Sequence, residues 1–472
     1  MSAQFDDLRT STRDIVVKLP PMATPVATRR LAERFPDGFV WGVATSAFQI
    51  EGATRVGGRG ESIWDRFCGQ PGVILDGSNG DVACDHYHRM EADVALLGAL
   101  GIRAYRFSIA WPRVQPDGRG AWSEAGFRFY ERLLDALDKQ GIAAHLTLYH
   151  WDLPQATQDR GGWASRETVD DFVAYAREVA SRFGTRVASI TTLNEPWVVA
   201  VLGHQNGIFA PGLRSRRLAM QVAHHLLLAH GRSVRSLRGM ALACPLGIVL
   251  NQSPSDPATT APADLARAHL EDGLLVRWYM DALFHGRYPA DVLAVLGDDA
   301  PLVVADDMQQ IAAPLDFLGI NYYTRNVVAA DGIVTAASLG CETTAMGWEV
   351  RPASLTELLV RLARDYRLPR LFIMENGAAY EDERRDGRIE DPSRVSYLAT
   401  HIAAVADAIE RGVPVDGYFV WSFLDNFEWA HGYARRFGIV HVDYATLERT
   451  PKASAHWYSS LLRAAAAAVA SK

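Results

Sequence analysis

The chain has 472 residues, of which 49% are hydrophobic and 22% charged, and carries a formal net charge of -7. This is ordinary globular composition, which excludes the collagen-like and intrinsically disordered classes. The absence of any basic stripe argues against a nucleic-acid partner. Residues 1–33 are polar, contain prolines and show no clear period. They read as an N-terminal extension of disorder-prone composition, followed by one domain over 34–472. The opening MSAQFDDLRTSTRDIVVKLPPM has early acidic residues and no apolar h-region, so no secretory signal is expected. No stretch has the apolar length to span a bilayer, and no membrane association is expected. Cys68, Cys84, Cys244 and Cys341 lie far apart without CxxC spacing and read as free thiols, which points to the cytoplasm.

From FPDGFVWGVAT onward, eight short apolar runs follow one another: 39–45, 102–109, 143–150, 189–195, 246–251, 316–324, 371–377 and 416–423. Amphipathic patterns lie between them, including FRFYERLLDALDKQG, ETVDDFVAYAREVASRFG and VSYLATHIAAVADAIERG. The Ala-rich end, LLRAAAAAVASK, reads as a terminal helix. Eight strands alternating with helices predict an α/β fold, a single (β/α)8 TIM barrel with inserted loops. The longest insertions are expected after strands one, five and six.

In such a barrel, chemistry sits at the C-terminal ends of the strands. Here those ends carry His150 and Trp151, Asn194 and Glu195, Asn321 and Tyr323, and Glu375, with Trp421 in strand eight. Glu195 is a poor strand residue and expensive to bury unpaired. Pro196 behind it predicts an extended backbone at Glu195. Glu195 on strand four faces Glu375 on strand seven across the barrel mouth. Two carboxyls flanking one site are the equipment of glycoside hydrolysis, one acting protonated and the other ionised. Arg106, ending strand two, could supply the cation that keeps one of them charged. Gln49, His150, Asn194 and Glu428 suit sugar hydroxyls, and Trp421 and Trp429 suit stacking on a ring. Each of these residues taken alone has a plainer reading as core or as an ion-pair partner, and their convergence on one face is what favours a site. HWD and the His224–His225 pair raise a metal site, but no spacing such as HExxH supports one. No metal or cofactor is therefore expected.

The stretches FPDGFVWGVATSAFQIEGA, ESIWDRFC, YRFSIAWPRV, YHWDLPQ, TLNEPW, GINYYT, MGWEV, MENG and VWSFLDNFEWAHGYARRFGIVHVDY run in order from about residue 35 to about 460. In these the chain resembles glycoside hydrolase family 1, the β-glucosidase family. The resemblance implies a retaining β-glycosidase acting on a small-molecule β-glycoside by double displacement. The terminal residue removed would most readily be glucosyl, with galactosyl and fucosyl left open. Glu195 of NEP would be the acid/base and Glu375 of ENG the nucleophile, about 5–5.5 Å apart. Asn194 would bond the sugar 2-OH, while Tyr323 and Arg106 would hold Glu375 ionised. Gln49, His150, Trp151, Asn321, Glu428 and Trp429 would bind the sugar over a Trp421 platform. Trp348 and Phe437 would line the aglycone side. A cis peptide at Trp421–Ser422 is implied too.

Two features qualify the resemblance. Met374 stands before the nucleophile where the family usually has Thr or Val, which alters packing behind Glu375. Glu428 occupies the position at which phospho-β-glycosidases of the family carry Ser, and its charge opposes a 6-phosphate. The competing readings are a 6-phospho-β-glycosidase and a catalytically silent sugar-binding protein on the same fold. Retention of both glutamates argues against the second. Oligomeric state is not legible in the sequence.

Overall fold

The computed structural model describes residues 23–240 and 242–470. Eight parallel strands close into a barrel: β1 Val40–Ala44, β2 Ala104–Ser108, β3 Ala143–Tyr149, β4 Ser189–Asn194, β5 Leu246–Asn251, β6 Phe317–Asn321, β7 Arg370–Asn376 and β8 Val415–Trp421. Each strand pairs with its neighbours in sequence, and β1 closes the ring against β8. All eight coincide with the predicted apolar runs to within three residues at either end. Strands buried on both faces need such runs, because helices cover the outside and side chains fill the inside.

The helices follow from their patterns. In Glu124–Gln140 the buried positions include Phe127, Tyr130, Leu133, Leu134 and Leu137, at helical spacing. Ser123 caps its start by accepting from the Gly126 N–H at 3.1 Å, and Gly141 ends it in the left-handed region at φ 63°. The segments 167–183 and 392–410 are helices as expected, and the Ala-rich end belongs to the helix Ala453–Ala470. The expected length order of the insertions is corrected in one place. The segment 195–245, which carries the long helix Arg216–Arg238, is longer than 322–369 after β6.

The expected N-terminal extension lies outside the described residues as far as residue 22. Its remainder departs from expectation. Pro25–Ala32 is a helix capped by Thr24, and Leu31 and Ala32 are buried. Trp457 of the terminal helix donates to Thr28 Oγ1 at 3.1 Å. Thr24-Pro25 is a helix start in which Pro occupies the first turn, a signal overlooked in a polar stretch.

The barrel interior holds its own apolar cluster, which includes Phe317, Phe372, Met374, Phe419 and Trp421. Glycines make room for its rings: a Cβ on Gly42 would lie 2.4 Å from the Phe419 ring, and one on Gly417 would lie 2.7 Å from Phe372. At the C-terminal ends the strand register breaks in three places: between Thr191 and Asn194 on β4, and after Ile373 on both sides of β7. Bulges of this kind re-aim side chains. They stand where Glu195 and Glu375 leave the sheet.

Candidate active site

Two large cavities flank the barrel. The larger, about 1180 Å³, lies at the N-terminal ends of the strands, against Val40, Ala104, Ala143 and Arg370. The smaller, about 580 Å³, opens at the C-terminal ends and contains both glutamates. The smaller is the candidate site, because the converging carboxyls, whose pKa values are raised, belong to it.

Eleven of the fourteen expected site residues line this cavity: His150, Trp151, Glu195, Asn321, Tyr323, Trp348, Glu375, Trp421, Glu428, Trp429 and Phe437. Arg106, Asn194 and Gln49 stand immediately behind the wall, each with at most 1% of its surface exposed. Arg106 ties the group together. Its Nη1 donates to Glu375 Oε1 at 2.5 Å, its Nη2 to Asn194 Oδ1 at 2.7 Å and its Nε to Thr147 Oγ1 at 3.2 Å. Tyr323 OH donates to the other Glu375 oxygen at 2.8 Å.

Glu195 has a different environment. Its Oε1 accepts from Asn321 Nδ2 at 2.7 Å, a neutral amide. Burial first and the Glu375 charge second push its carboxyl up to about 8. Burial also raises Glu375, but the Arg106 charge, the Arg106 hydrogen bond and the Tyr323 hydroxyl all pull it back. Two neighbouring buried carboxyls share one charge, and the cation decides that Glu375 carries it. Glu428 is likewise pushed up to about 8, by burial and then by Glu375.

The expectation of extended backbone at Glu195 is corrected. Its φ is +49°, in the left-handed region. The Glu195 N–H donates to Val249 O at 2.9 Å, and the Val198 N–H donates back to Glu195 O at 3.0 Å. The steric pressure of Pro196 is met by a left-handed turn instead of an extended one, and this turns the carboxyl into the mouth. Trp151 and Trp429 also have positive φ, at 80° and 51°. Three such non-glycine residues on one cavity wall mark a functional site. The Trp421–Ser422 peptide is cis, as the resemblance implies.

The sugar-facing amides are oriented by their partners. Asn194 Oδ1 accepts from Arg106, so its Nδ2 points at His150 Nε2, 3.2 Å away. Burial drives the His150 imidazole well below its usual range, so it is neutral, with Nε2 accepting and the proton on Nδ1. Gln49 Nε2 donates to Asn426 Oδ1 at 2.9 Å, Phe427 O at 3.0 Å and Glu428 Oε2 at 3.3 Å. Asn426 and Thr147 are thus supporting residues that sequence reasoning missed; Asn426 stands two residues before Glu428 in LDNFEW, and Thr147 sits opposite Ser108 across the β2–β3 register. The rings of Tyr323, Trp348 and Phe437 meet with centroids 5.4–6.1 Å apart on the outer side.

The histidine pair that raised, without a supporting spacing, the question of a metal has other partners. His224 contacts Tyr288 OH at 2.8 Å and Asp307 at 3.1 Å, and His225 contacts Trp163 O at 2.8 Å. Among the described residues, no group of three or more His, Cys, Asp or Glu could hold a metal ion. Among them, too, no helix is long and apolar enough to cross a membrane.

The chain is similar to known proteins along most of its length. The β-glucosidase of Agrobacterium sp. (strain ATCC 21400) is 46% identical over 439 residues, covering 91% of this chain and 96% of that protein. β-Glucosidase A of Thermotoga maritima is 44% identical, covering 91% and 98%. Among solved structures, virulence factor SghA from Agrobacterium tumefaciens superposes with a TM-score of 0.90 at 45% identity, covering 93% of this chain and 99% of that one. The family 1 β-glucosidase from Thermotoga maritima gives 0.89 at 43%, covering 92% and 98%. The model of glycosyl hydrolase family 1 matches residues 31–466, and the chain belongs to that family and is a glycoside hydrolase.

Proposed function

We propose that this glycoside hydrolase is a retaining β-glucosidase of small glycosides, with Glu375 as nucleophile and Glu195 as acid/base. The observation that carries the assignment is the asymmetry of the two carboxyls. Glu375 is held by a guanidinium at 2.5 Å and a phenol at 2.8 Å, whereas Glu195 receives only an amide at 2.7 Å. The charged group attacks the anomeric carbon, while the neutral one protonates the departing oxygen. Water, deprotonated by Glu195, then releases the sugar from Glu375. Asn194 has a second N–H for the sugar 2-OH, since His150 engages one and an amide has two. Gln49, Glu428, His150, Trp151, Asn321 and Trp429 bind the remaining hydroxyls above Trp421. Trp348 and Phe437 face the leaving group.

Glucose is favoured as the glycone by the relatives named β-glucosidase. Glu428, an acidic side chain of the cavity lining, offers no cation to a 6-phosphate, and possession of both glutamates speaks against a silent binding protein. The catalytic unit is read as one domain over 34–472 working in the cytoplasm, which suits four cysteines that are all unpaired.

The test is chemical rescue. Glu375→Gln should abolish turnover. Glu195→Ala should hurt poor leaving groups far more than activated aryl ones, and azide should restore turnover with a β-glycosyl azide product. An α-azide product, or near-normal rates in Glu375→Gln, would overturn the assignment.

A further inference from the structure

The candidate cavity reaches well past the two carboxyls. Its outer wall is built from 202–209, 271–275 and a small sheet of Ser255–Pro257, Asn326–Ala329 and Gly332–Val334. Leu202, Ile208, Leu274, Val327, Ile333 and Leu339 line it, and Met346 and Trp348 join it to the catalytic floor. Three of these side chains face water: Ile333 is 60% exposed, Ile208 50% and Leu339 39%. Single exposed apolar residues are ordinary, but three on the rim of one cavity form a surface that a ligand would cover.

The charged side chains of the same wall, and the Thr324 hydroxyl, are already engaged. Arg325 gives Nε and Nη2 to Glu349 at 2.8 and 3.2 Å, and Nη1 to Asp256 at 2.9 Å. Glu349 is only 6% exposed. Thr324 Oγ1 donates to Glu349 O at 3.0 Å, and Glu271 is paired with Arg267 at 2.7 Å. Asn251, Ser253 and Asn326 remain for a polar group on a ligand. A second pyranose would bring several hydroxyls into this space, and each one desolvated without a partner weakens binding. An apolar group has no such loss, and it covers the exposed rim.

We propose that the leaving group this site is built to expel is an extended apolar aglycone, alkyl or aryl, and not a second sugar, with Ile208, Ile333 and Leu339 setting that preference. The inference rests on the β-glucosidase reading above and deepens it. A cavity of about 580 Å³ is within the range that encloses a ligand of drug-like size, enough for one glycone and such a tail.

The test is kcat/KM on methyl, butyl, hexyl and octyl β-D-glucosides below their micelle concentrations, beside cellobiose and cellotriose. From butyl to octyl it should rise between twofold and about fourfold per methylene. Octyl glucoside should exceed cellobiose at least tenfold. In Ile333→Ser/Leu339→Ser the octyl-to-methyl ratio should fall at least tenfold, with the thermal midpoint kept because both side chains are exposed. A flat alkyl series, or cellotriose preferred to octyl glucoside, overturns the inference. Turnover of 4-nitrophenyl β-D-glucoside separates the two claims. If it is present with a flat alkyl series, only the aglycone preference falls; if it is absent in the wild type, the β-glucosidase reading falls as well.

Discussion

Tyr323→Phe removes one hydroxyl and keeps the ring that packs against Trp348 and Phe437. The hydroxyl donates to Glu375 Oε2 at 2.8 Å, in a site where Glu375 is buried and Tyr323 partly so. A hydrogen bond to a charged acceptor contributes about 1.5–3 kcal/mol. It stabilises only the ionised form of Glu375, so its loss raises the pKa of that carboxyl. At 1.36 kcal/mol per pH unit, the acid limb of kcat/KM should move up by roughly one to two pH units. The sign follows from the role: the nucleophile must be ionised, so activity is lost as pH falls through its pKa. The assay is the pH profile of kcat/KM on an aryl glucoside, read at both limbs. Loss of rate alone would fit a merely structural tyrosine, whereas a displaced acid limb would not. An acid limb left in place within 0.3 pH unit would refute the claim that the phenol holds Glu375 charged; that margin is roughly a fifth of the shift derived from the hydrogen-bond energy.

The basic limb of the wild type should fall away above about pH 8, where burial and the Glu375 charge place the Glu195 carboxyl. Glu195 works protonated, so the limb marks its deprotonation, and a limb that persists unchanged in Glu195→Ala would assign it to another group. Gly319→Ala places a Cβ 2.5 Å from Val249 and 2.8 Å from Met374 behind the nucleophile. Overpacking there should destabilise the fold by about 1–3 kcal/mol and lower kcat. Adding Met374→Val should recover part of both, and strict additivity of the two changes would sink the idea that Gly319 exists to admit Met374. Lys452→Met strips a buried ammonium from Asp382 at 2.5 Å and Asp425 at 2.7 Å. Leaving those carboxyls short of a cation should cost about 3–5 kcal/mol in denaturant unfolding. A loss under about 1 kcal/mol would mean that Arg394 and Arg436 satisfy them unaided.

The barrel was legible because its strands are buried on both faces, which writes them as continuous apolar runs. The site was legible because chemistry-bearing residues stood at the ends of those runs. Glu195, Glu375 and Arg106 could be placed that way without any resemblance. Glu428 and Trp429 could not. They lie in the segment after β8, outside any barrel strand, so their residue types suggested sugar contacts but no strand end fixed their position. The backbone of Glu195 was misjudged because the local rule for a residue before proline competes with tertiary constraint. The β4–β5 register breaks just before Glu195, and its N–H is committed to Val249 O at 2.9 Å. The helix 25–32 was missed because its stabilisation comes from a partner more than 400 residues away, as in the Thr28–Trp457 contact. A short polar helix has too little intrinsic propensity to be visible without that partner.

The division of labour between two chemically identical glutamates is decided by one guanidinium. Burial alone would raise both carboxyls and leave two neutral acids, which could donate protons but not attack carbon. Arg106 opposes that rise chiefly at Glu375, because its fork spans the distance from β2 to β7 and donates to no oxygen of Glu195, on which its charge acts more weakly than burial and Glu375 do. The same fork fixes Asn194 Oδ1 at 2.7 Å, and Asn194 Oδ1 in turn accepts from Asn321 Nδ2 at 3.1 Å. That nitrogen is also the one that holds Glu195 at 2.7 Å. Position thus passes from the cation through two amides to the acid/base. A lysine could neutralise Glu375 but could not make both contacts in one plane, which is why the site requires arginine at this place.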